Sequence, residues 1–361
     1  MSMQPGDWVE IRTKDEILSS LDKSGRLDGL PFMPQMFKYC GQRFKVYKRA
    51  HKTCDTVTGK FVGRRLSGGV HLDLRCDGKA YGNCQASCLI FWKEAWLKPV
   101  TETSNAEKFS SYPAGGRRGA VDCTEEGILK ATHVRDVDGE TRYLCQATQL
   151  LDYTTPLPWW DVRQYVEDYM SGNATAGRIL SGFIYVSYYY GSLACRGRLG
   201  RPGRWLYDRF QAIRGGVPFP RKRGHIPAGQ PTPTCDLNLQ PGELVRVKRY
   251  EEILASLDET NHNRGMGFDA ELVPYCGGTY RVKTRVTNFI DEQTGKMRKM
   301  KTPAIILEGV CCQSCYSHNR MFCPRSIYSW WREVWLERVS GDPQTQTASP
   351  TFYPSKVKDP V

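Results

Sequence analysis

Short alternating and apolar runs punctuate the chain, separated by turn residues. "DWVEI" at residues 7–11 and "ELVRV" at 243–247 read as strands, each opened by a Pro-Gly turn. "TKDEILSSLD", from Thr13, reads as a helix with Thr13 as N-cap, acidic residues in its first turn and Ile17, Leu18 and Leu21 on one face. "RFKVYKRA" (43–50) and "TYRVKTRV" (279–286) alternate as strands, and "GGVHLDL" (68–74) and "PAIILEGV" (303–310) follow as further strands. In "LIFWKEAWL", Trp92 and Trp96 lie four apart and share a face with Leu89, which predicts a tryptophan-rich helix; "WWREVWL" predicts another.

These elements come in two sets. At an offset of 236, Pro5, Gly6, Val9, Glu16, Ile17, Leu18, Ser20, Leu21 and Asp22 recur in "PGELVRVKRYEEILASLD", which starts at Pro241. Tyr39, Cys40, Gly41 and Val46 recur as Tyr275, Cys276, Gly277 and Val282. After three added residues, Cys84, Trp92, Glu94, Trp96 and Leu97 match Cys323, Trp331, Glu333, Trp335 and Leu336. The chain therefore reads as a duplication. The expected fold class is α+β, with two small β-rich, SH3-like modules, each ending in a Trp-rich helix, around a mixed α+β central segment. The expected boundaries are 1–100 for the first Cys-rich module, 101–120 for a linker, and 121–213 for a central hairpin plus helices. A basic, Pro-rich linker at 214–240, the second module at 241–340 and a tail at 341–361 complete the chain. Tryptophans recurring beside apolar neighbours read as core rather than as a stacking surface.

The cysteines change the picture most. Fourteen are present, and the first residues show no apolar core behind a basic start, so a reducing, cytoplasmic setting is expected, with thiols or metal ligands rather than disulfides. Each module offers four: Cys40, Cys76, Cys84 and Cys88, then Cys276, Cys312, Cys315 and Cys323. Four soft thiolates suit zinc, with an iron–sulfur cluster as the alternative, and a structural metal would help a small module hold its shape. Cys54 with His51 ("HKTC"), and Cys311, are further candidate ligands, and Cys123 and Cys145 could close a third site with Cys195 or Cys235. "CQAT" at Cys145 echoes "CQAS" at Cys84, a match too short to carry weight by itself. Buried thiols without metal are the plainer alternative.

Between the modules, "VDGE" turns a hairpin and "PLPWWDVRQYVEDYMSGN" reads as a helix. Residues 179–195 are uncharged but short and tyrosine-rich for a membrane span, so an integral span is not expected. The chain carries 51 Lys and Arg against 38 Asp and Glu, a net +13, and residues 196–223 supply +8 of it. Arg196, Arg198, Arg201, Arg204, Arg221, Lys222 and Arg223, interleaved with Trp205, Tyr207 and Phe210, are the candidate anion-binding residues; nucleic acid or a protein complex is the partner such a surface would take. No phosphate loop, nucleophile elbow or His-Glu-x-x-His pattern is present, and the six histidines are scattered. A metal-stabilised, non-enzymatic binding protein is the leading expectation. An iron–sulfur redox protein or enzyme and a membrane-associated auxiliary protein are the alternatives.

Overall fold

The computed structural model describes residues 3–60, 62–100, 123–136, 138–194, 200–214 and 222–339. The linker expected at 101–120 and the tail at 341–361 lie outside the described residues. The chain is α+β: α1 (Lys14–Ser20), α2 (Glu125–Lys130), α3 (Arg163–Met170), α4 (Ala176–Ala194), α5 (Gly200–Arg214) and α6 (Tyr250–Leu254) accompany small antiparallel sheets. Two compact units result. The first takes the described residues up to Ala174 with Asn288–Lys299 and Phe322–Arg325. The second takes Thr175–Thr287, Met300–Met321 and the described residues from Ser326 on. The boundary thus falls inside the expected central segment, and the first unit recruits two pieces of the expected second module.

In the first unit, Trp8–Ile11 pairs antiparallel with Arg43–Lys45 on one side and Leu97–Pro99 on the other, so Val9 faces both Phe44 and Pro99. Alternation puts Val9 and Ile11 in the core and leaves Trp8 exposed. Gly69–His71 pairs with Lys48–Arg49 and Trp92–Lys93, and Gly63–Arg65 with Lys52–Cys54 and Thr155–Leu157. Thr13 caps α1 through a capping box with Glu16, which frees Ile17 to face the core. Phe32 packs edge-on against Trp96, with ring centroids 5.2 Å apart, and against Trp92 at 6.2 Å.

In the second unit, Leu244–Val247 pairs with the Thr279–Arg281 end of the strand Thr279–Ile290 and with Leu336–Arg338, so Val245 faces both Tyr280 and Arg338. The sheet continues through Met297–Cys311 to Tyr328–Trp331. Phe268 meets Trp335 edge-on at 5.2 Å and Trp331 at 6.1 Å, and the Trp335 Nε1–H donates to Ser256 Oγ at 3.0 Å.

The tryptophan helices are not helices. Trp92–Lys93 is strand, Glu94–Trp96 is one 3-10 turn and Leu97–Pro99 is strand again; Tyr328–Trp331, Glu333–Trp335 and Leu336–Arg338 follow the same course. A single turn between two paired strands is too short to nucleate an α-helix. The turn also has another task. Glu94 Oε1 accepts the Met3 N–H at 3.2 Å, and the Glu333 carboxylate accepts the Leu237 and Leu239 N–H groups at 2.9 and 3.1 Å, so each turn anchors the chain that leads into its sheet. All four tryptophans remain fully buried.

An ion cluster lies beneath the third sheet of the first unit. Asp168 of α3 is fully buried and takes Lys52 Nζ on Oδ2, while His51 Nε2 approaches Oδ1 to 3.1 Å without hydrogen-bond alignment. Lys52 also donates to Gln164 Oε1 and sits over the Tyr165 ring at 5.1 Å. Burial pulls its pKa down, and Asp168 opposes that pull. Removing one partner leaves a desolvated charge. Asp168→Ala is expected to destabilise the protein by about 3–5 kcal/mol, read as a fall in the urea midpoint. Removing Glu126, whose exposed i,i+4 pair with Lys130 is open to water, leaves the midpoint unchanged.

Candidate functional site

Residues 72–91 of the first unit carry no strand beyond one isolated bridge between Arg75 and Leu89. Next to that bridge the Cys76 N–H donates to the Cys88 carbonyl at 2.9 Å, so these two cysteines sit on adjoining stretches of backbone. Cys84 lies on the turn between them, and its N–H closes on the Tyr81 carbonyl at 3.1 Å. The turn depends on Gly78, which has φ +68°: a Cβ there would meet the Cys84 carbonyl oxygen at 1.9 Å.

A fourth cysteine arrives from far along the chain. The Gln146 side chain accepts the Phe91 N–H at 2.9 Å and donates to the Pro31 and Phe91 carbonyls, both at 3.0 Å, which fixes Cys145 beside the loop. Cys76, Cys84, Cys88 and Cys145 together line a small recess of about 30 Å³, with Arg325 and Gln146 also in its wall. None of the four is in a disulfide.

The sulfurs are surrounded by donors. Gln35 Nε2 donates to Cys76 Sγ at 3.1 Å and the Ile290 N–H to Cys84 Sγ at 3.4 Å. The backbone N–H groups of Gly78, Ala86 and Ala147 serve Cys76, Cys84 and Cys145, each two residues on from its cysteine, and Thr148 adds another to Cys145. As protonated thiols the four are held neutral. Burial first, then the neighbouring Cys145, pushes Cys76 up to about 12. Burial likewise raises Cys84 and Cys145, and it holds Cys88 well above the usual thiol value, with Glu292 adding to the effect and Arg325 opposing it. Arg325 is itself buried; its guanidinium takes both Glu292 oxygens at 3.1 and 2.9 Å and Thr56 Oγ1 at 2.7 Å.

The structure thus brings together three of the four cysteines expected in the first module and replaces the fourth. Cys40 lies elsewhere, near Lys14 and Glu125, and its N–H closes a 3-10 turn on the Phe37 carbonyl. His51 is engaged with Asp168, and the Cys54 carbonyl accepts from Arg325 at 3.4 Å. Cys123 sits by Gly25 and Asp22, away from Cys145's partners; Cys235 is exposed, and Cys195 lies outside the described residues.

The cysteines of the second set have contacts of other kinds. Cys276, pushed up to about 12 by burial, directs its thiol to the Leu272 carbonyl at 3.9 Å. Cys312 Sγ meets Ser314 Oγ at 3.5 Å, and Cys315 Sγ takes Arg178 Nη2 at 3.5 Å. Cys323 belongs to the first unit, and Cys311 contributes its carbonyl to the Tyr275 hydroxyl at 2.5 Å. Among the described residues, no group of three or more His, Cys, Asp or Glu side chains is arranged to hold a metal ion as it stands.

The basic segment is described in part. Arg196, Arg198 and Arg221 lie outside the described residues, and Arg201 and Arg204 fall on α5. Lys222, exposed, pairs with Glu251; Arg223 is exposed. On α5, Tyr207 turns inward and stacks on Tyr188 of α4, with centroids 4.2 Å apart. Trp205, Leu206, Arg209 and Ile213 turn outward, with Trp205 64% and Ile213 67% exposed. No described helix is long and apolar enough to cross a membrane.

Comparison with protein-family models, curated proteins and solved structures finds no match.

One titratable group is set apart by its environment. His71 is fully buried, its Nδ1–H donates to the Ile90 carbonyl at 2.8 Å, and burial, reinforced by Lys48, Arg75 and Arg325, holds its pKa down to about 3. Below the ordinary value of about 6.5 the unfolded chain takes up a proton that the folded chain refuses, so the stabilisation is complete above that pH and is lost as pH falls. Between pH 6.5 and 5 the His71 contribution is expected to fall by about 1.6 kcal/mol in total, the slope approaching about 1.4 kcal/mol per pH unit at the acid end. Urea unfolding across that range checks it: His71→Asn should lower the proton uptake on unfolding by close to one, and an unchanged uptake would refute the assignment.

Proposed function

We propose that the chain is a non-enzymatic, metal-stabilised binding protein of two duplicated, SH3-like modules, acting in a reducing, cytoplasmic setting, whose basic central segment contacts nucleic acid. The observation that carries the binding reading is the outer face of α5, where exposed Trp205 stands beside Arg209 within a stretch of net charge +8. Arginine meets phosphates through a planar fork, and an exposed indole offers a stacking face to an unpaired base. The buried cations Lys52, Arg325 and Arg332 are committed to internal partners, so the surface charge that could meet a polyanion concentrates elsewhere.

Support for the duplication comes from matching registers and contacts. Val9 faces Phe44 as Val245 faces Tyr280, and Gly6 N–H reaches the Val46 carbonyl as Gly242 N–H reaches that of Val282, each at 2.8 Å. Phe32 meets Trp96 as Phe268 meets Trp335. The His51–Asp168 pair is sealed in the core.

A second reading, attachment to an anionic lipid surface, is favoured by the exposed Leu206 and Ile213 on the same helix. Fluorescence anisotropy with a labelled single-stranded oligonucleotide separates the two. Affinity is expected to fall steeply between 50 and 200 mM salt, roughly as the 0.7 power of salt per phosphate neutralised. Trp205→Ala is expected to weaken binding about tenfold or more at fixed salt. Salt-independent binding, or none, would overturn the nucleic-acid reading, and co-sedimentation with anionic but not neutral vesicles in that event would put the lipid surface in its place.

A further inference from the structure

We propose that the recess of the first unit is a zinc site whose four thiolate ligands are Cys76, Cys84, Cys88 and Cys145, with the buried Arg325 as its charge partner. The proposal rests on the metal-stabilised reading and goes beyond it by naming the ligands, one of them outside the expected set, and by limiting the chain to one such site.

Four observations carry it. The first is convergence: two stretches of the chain, one carrying Cys76, Cys84 and Cys88 and the other Cys145, deliver four cysteines to one small space whose described wall holds no His, Asp or Glu. An all-sulfur donor set suits a soft, tetrahedral ion, with zinc–sulfur bonds near 2.3 Å. A space of about 30 Å³ admits a single ion, with no room for a substrate.

The second is the direction of the donors. A neutral thiol is a weak acceptor, whereas a thiolate gains from every N–H aimed at it. Here Gln35 Nε2, the Ile290 N–H and the N–H groups two residues beyond Cys76, Cys84 and Cys145 all point at sulfur. "CQAS" at Cys84 and "CQAT" at Cys145 are two copies of one knuckle, each turning its alanine N–H back onto its own cysteine. Donors of this kind orient and tune metal-bound ligands.

The third is charge. Zinc with four thiolates carries a net charge of −2, and forming it from thiols releases four protons: Zn²⁺ + 4 Cys–SH → [Zn(S–Cys)₄]²⁻ + 4 H⁺. Arg325, in the wall of the recess and 2% exposed, places a permanent positive charge beside the site. The ion reverses the electrostatics that hold the thiols neutral in its absence.

The fourth is the contrast with the second copy. The bond from Cys76 N–H to the Cys88 carbonyl has a counterpart from Cys312 N–H to the Ile327 carbonyl at 2.8 Å. The position of Cys88 is thus taken by isoleucine, and Cys145 has no counterpart at all. Gln35, which serves Cys76, corresponds at the offset of 236 to Glu271, whose buried carboxylate accepts the N–H groups of Cys315 and Tyr316 at 3.1 and 2.6 Å. A carboxylate fastens that loop where the first copy has thiols. Zinc binding at this site would require the four cysteine side chains that line the recess to turn onto one ion.

The test uses the full-length protein purified under reducing conditions without chelator. Elemental analysis is expected to find one equivalent of zinc per chain. Cobalt substitution is expected to give the strong d–d bands of a tetrahedral site with sulfur-to-cobalt charge transfer, and zinc binding should release close to four protons in weakly buffered solution. Cys145→Ser should weaken zinc roughly 100-fold, Cys145→His should restore most of the affinity with a shifted cobalt spectrum, and Cys40→Ser should leave both unchanged. If the serine variant fails to fold, the cobalt spectrum and proton count of the unmutated chain still decide. Absence of metal would overturn both the zinc site and the metal-stabilised reading, whereas iron with a visible band would overturn the zinc site alone and put the iron–sulfur alternative in its place. Zinc retained by Cys145→Ser and lost by Cys40→Ser would overturn only the ligand set, and two equivalents would overturn the limit to one site.

Discussion

Three buried hydrogen bonds from one amide organise the first unit. Gln146 accepts from Phe91 N–H and donates to the carbonyls of Pro31 and Phe91, so segments more than a hundred residues apart in sequence meet at a single side chain. Tyr153 secures the same segment from the other side, its hydroxyl donating to the Gln146 carbonyl at 2.7 Å. A buried amide with every partner in place costs little, whereas orphaned partners would cost about 1–3 kcal/mol each. The register of residues 145–148 against 89–91 is therefore tightly specified, and with it the position of Cys145 relative to Cys88.

Much of the fold was legible from alternation and caps. Val9 and Ile11 face inward, Thr13 caps α1, and "VDGE" lies between paired strands, because these features depend on residues near in sequence. The tryptophans were read correctly as core and wrongly as helical. Spacing of four fits a helix face, but a strand entering a 3-10 turn buries the same two rings, and periodicity over so few residues does not separate the two. What decides is non-local: the pairing of Leu97–Pro99 with Trp8–Ile11 and the use of Glu94 as an anchor.

The candidate site was legible in part for a related reason. Cys76, Cys84 and Cys88 are neighbours along the chain, and their grouping follows from spacing. Cys40 was grouped with them because "YCG" recurs in both halves, yet recurrence there reflects the fold: Gly41, at φ +74°, sends its N–H to the Ile11 carbonyl, and Gly277 sends its own to Val247. A repeated residue marks what both copies need, and both need that turn. Cys145 carried a signal of its own in "CQAT", the echo of "CQAS", but nothing in spacing says that two such knuckles face one recess.

The two stretches of similar sequence fasten their loops with different groups. Each has an irregular loop between the strand that ends near its first loop cysteine and the strand that carries its first tryptophan. In the second copy a buried carboxylate, Glu271, gathers the loop's N–H groups. Burial raises its pKa while those same bonds oppose the rise, so the loop is fastened by an acceptor that the core resists. In the first copy the corresponding residue is Gln35, a neutral donor, and the acceptors are sulfurs. An amide donor facing thiols stabilises negative charge on them only if some cation accompanies that charge, and Arg325 alone, already shared with Glu292, cannot balance four thiolates. A divalent ion held by all four, as proposed, would cut their charge from −4 to −2 and leave Arg325 to offset part of the rest, which ties the donor at Gln35 to the presence of Cys88 and Cys145.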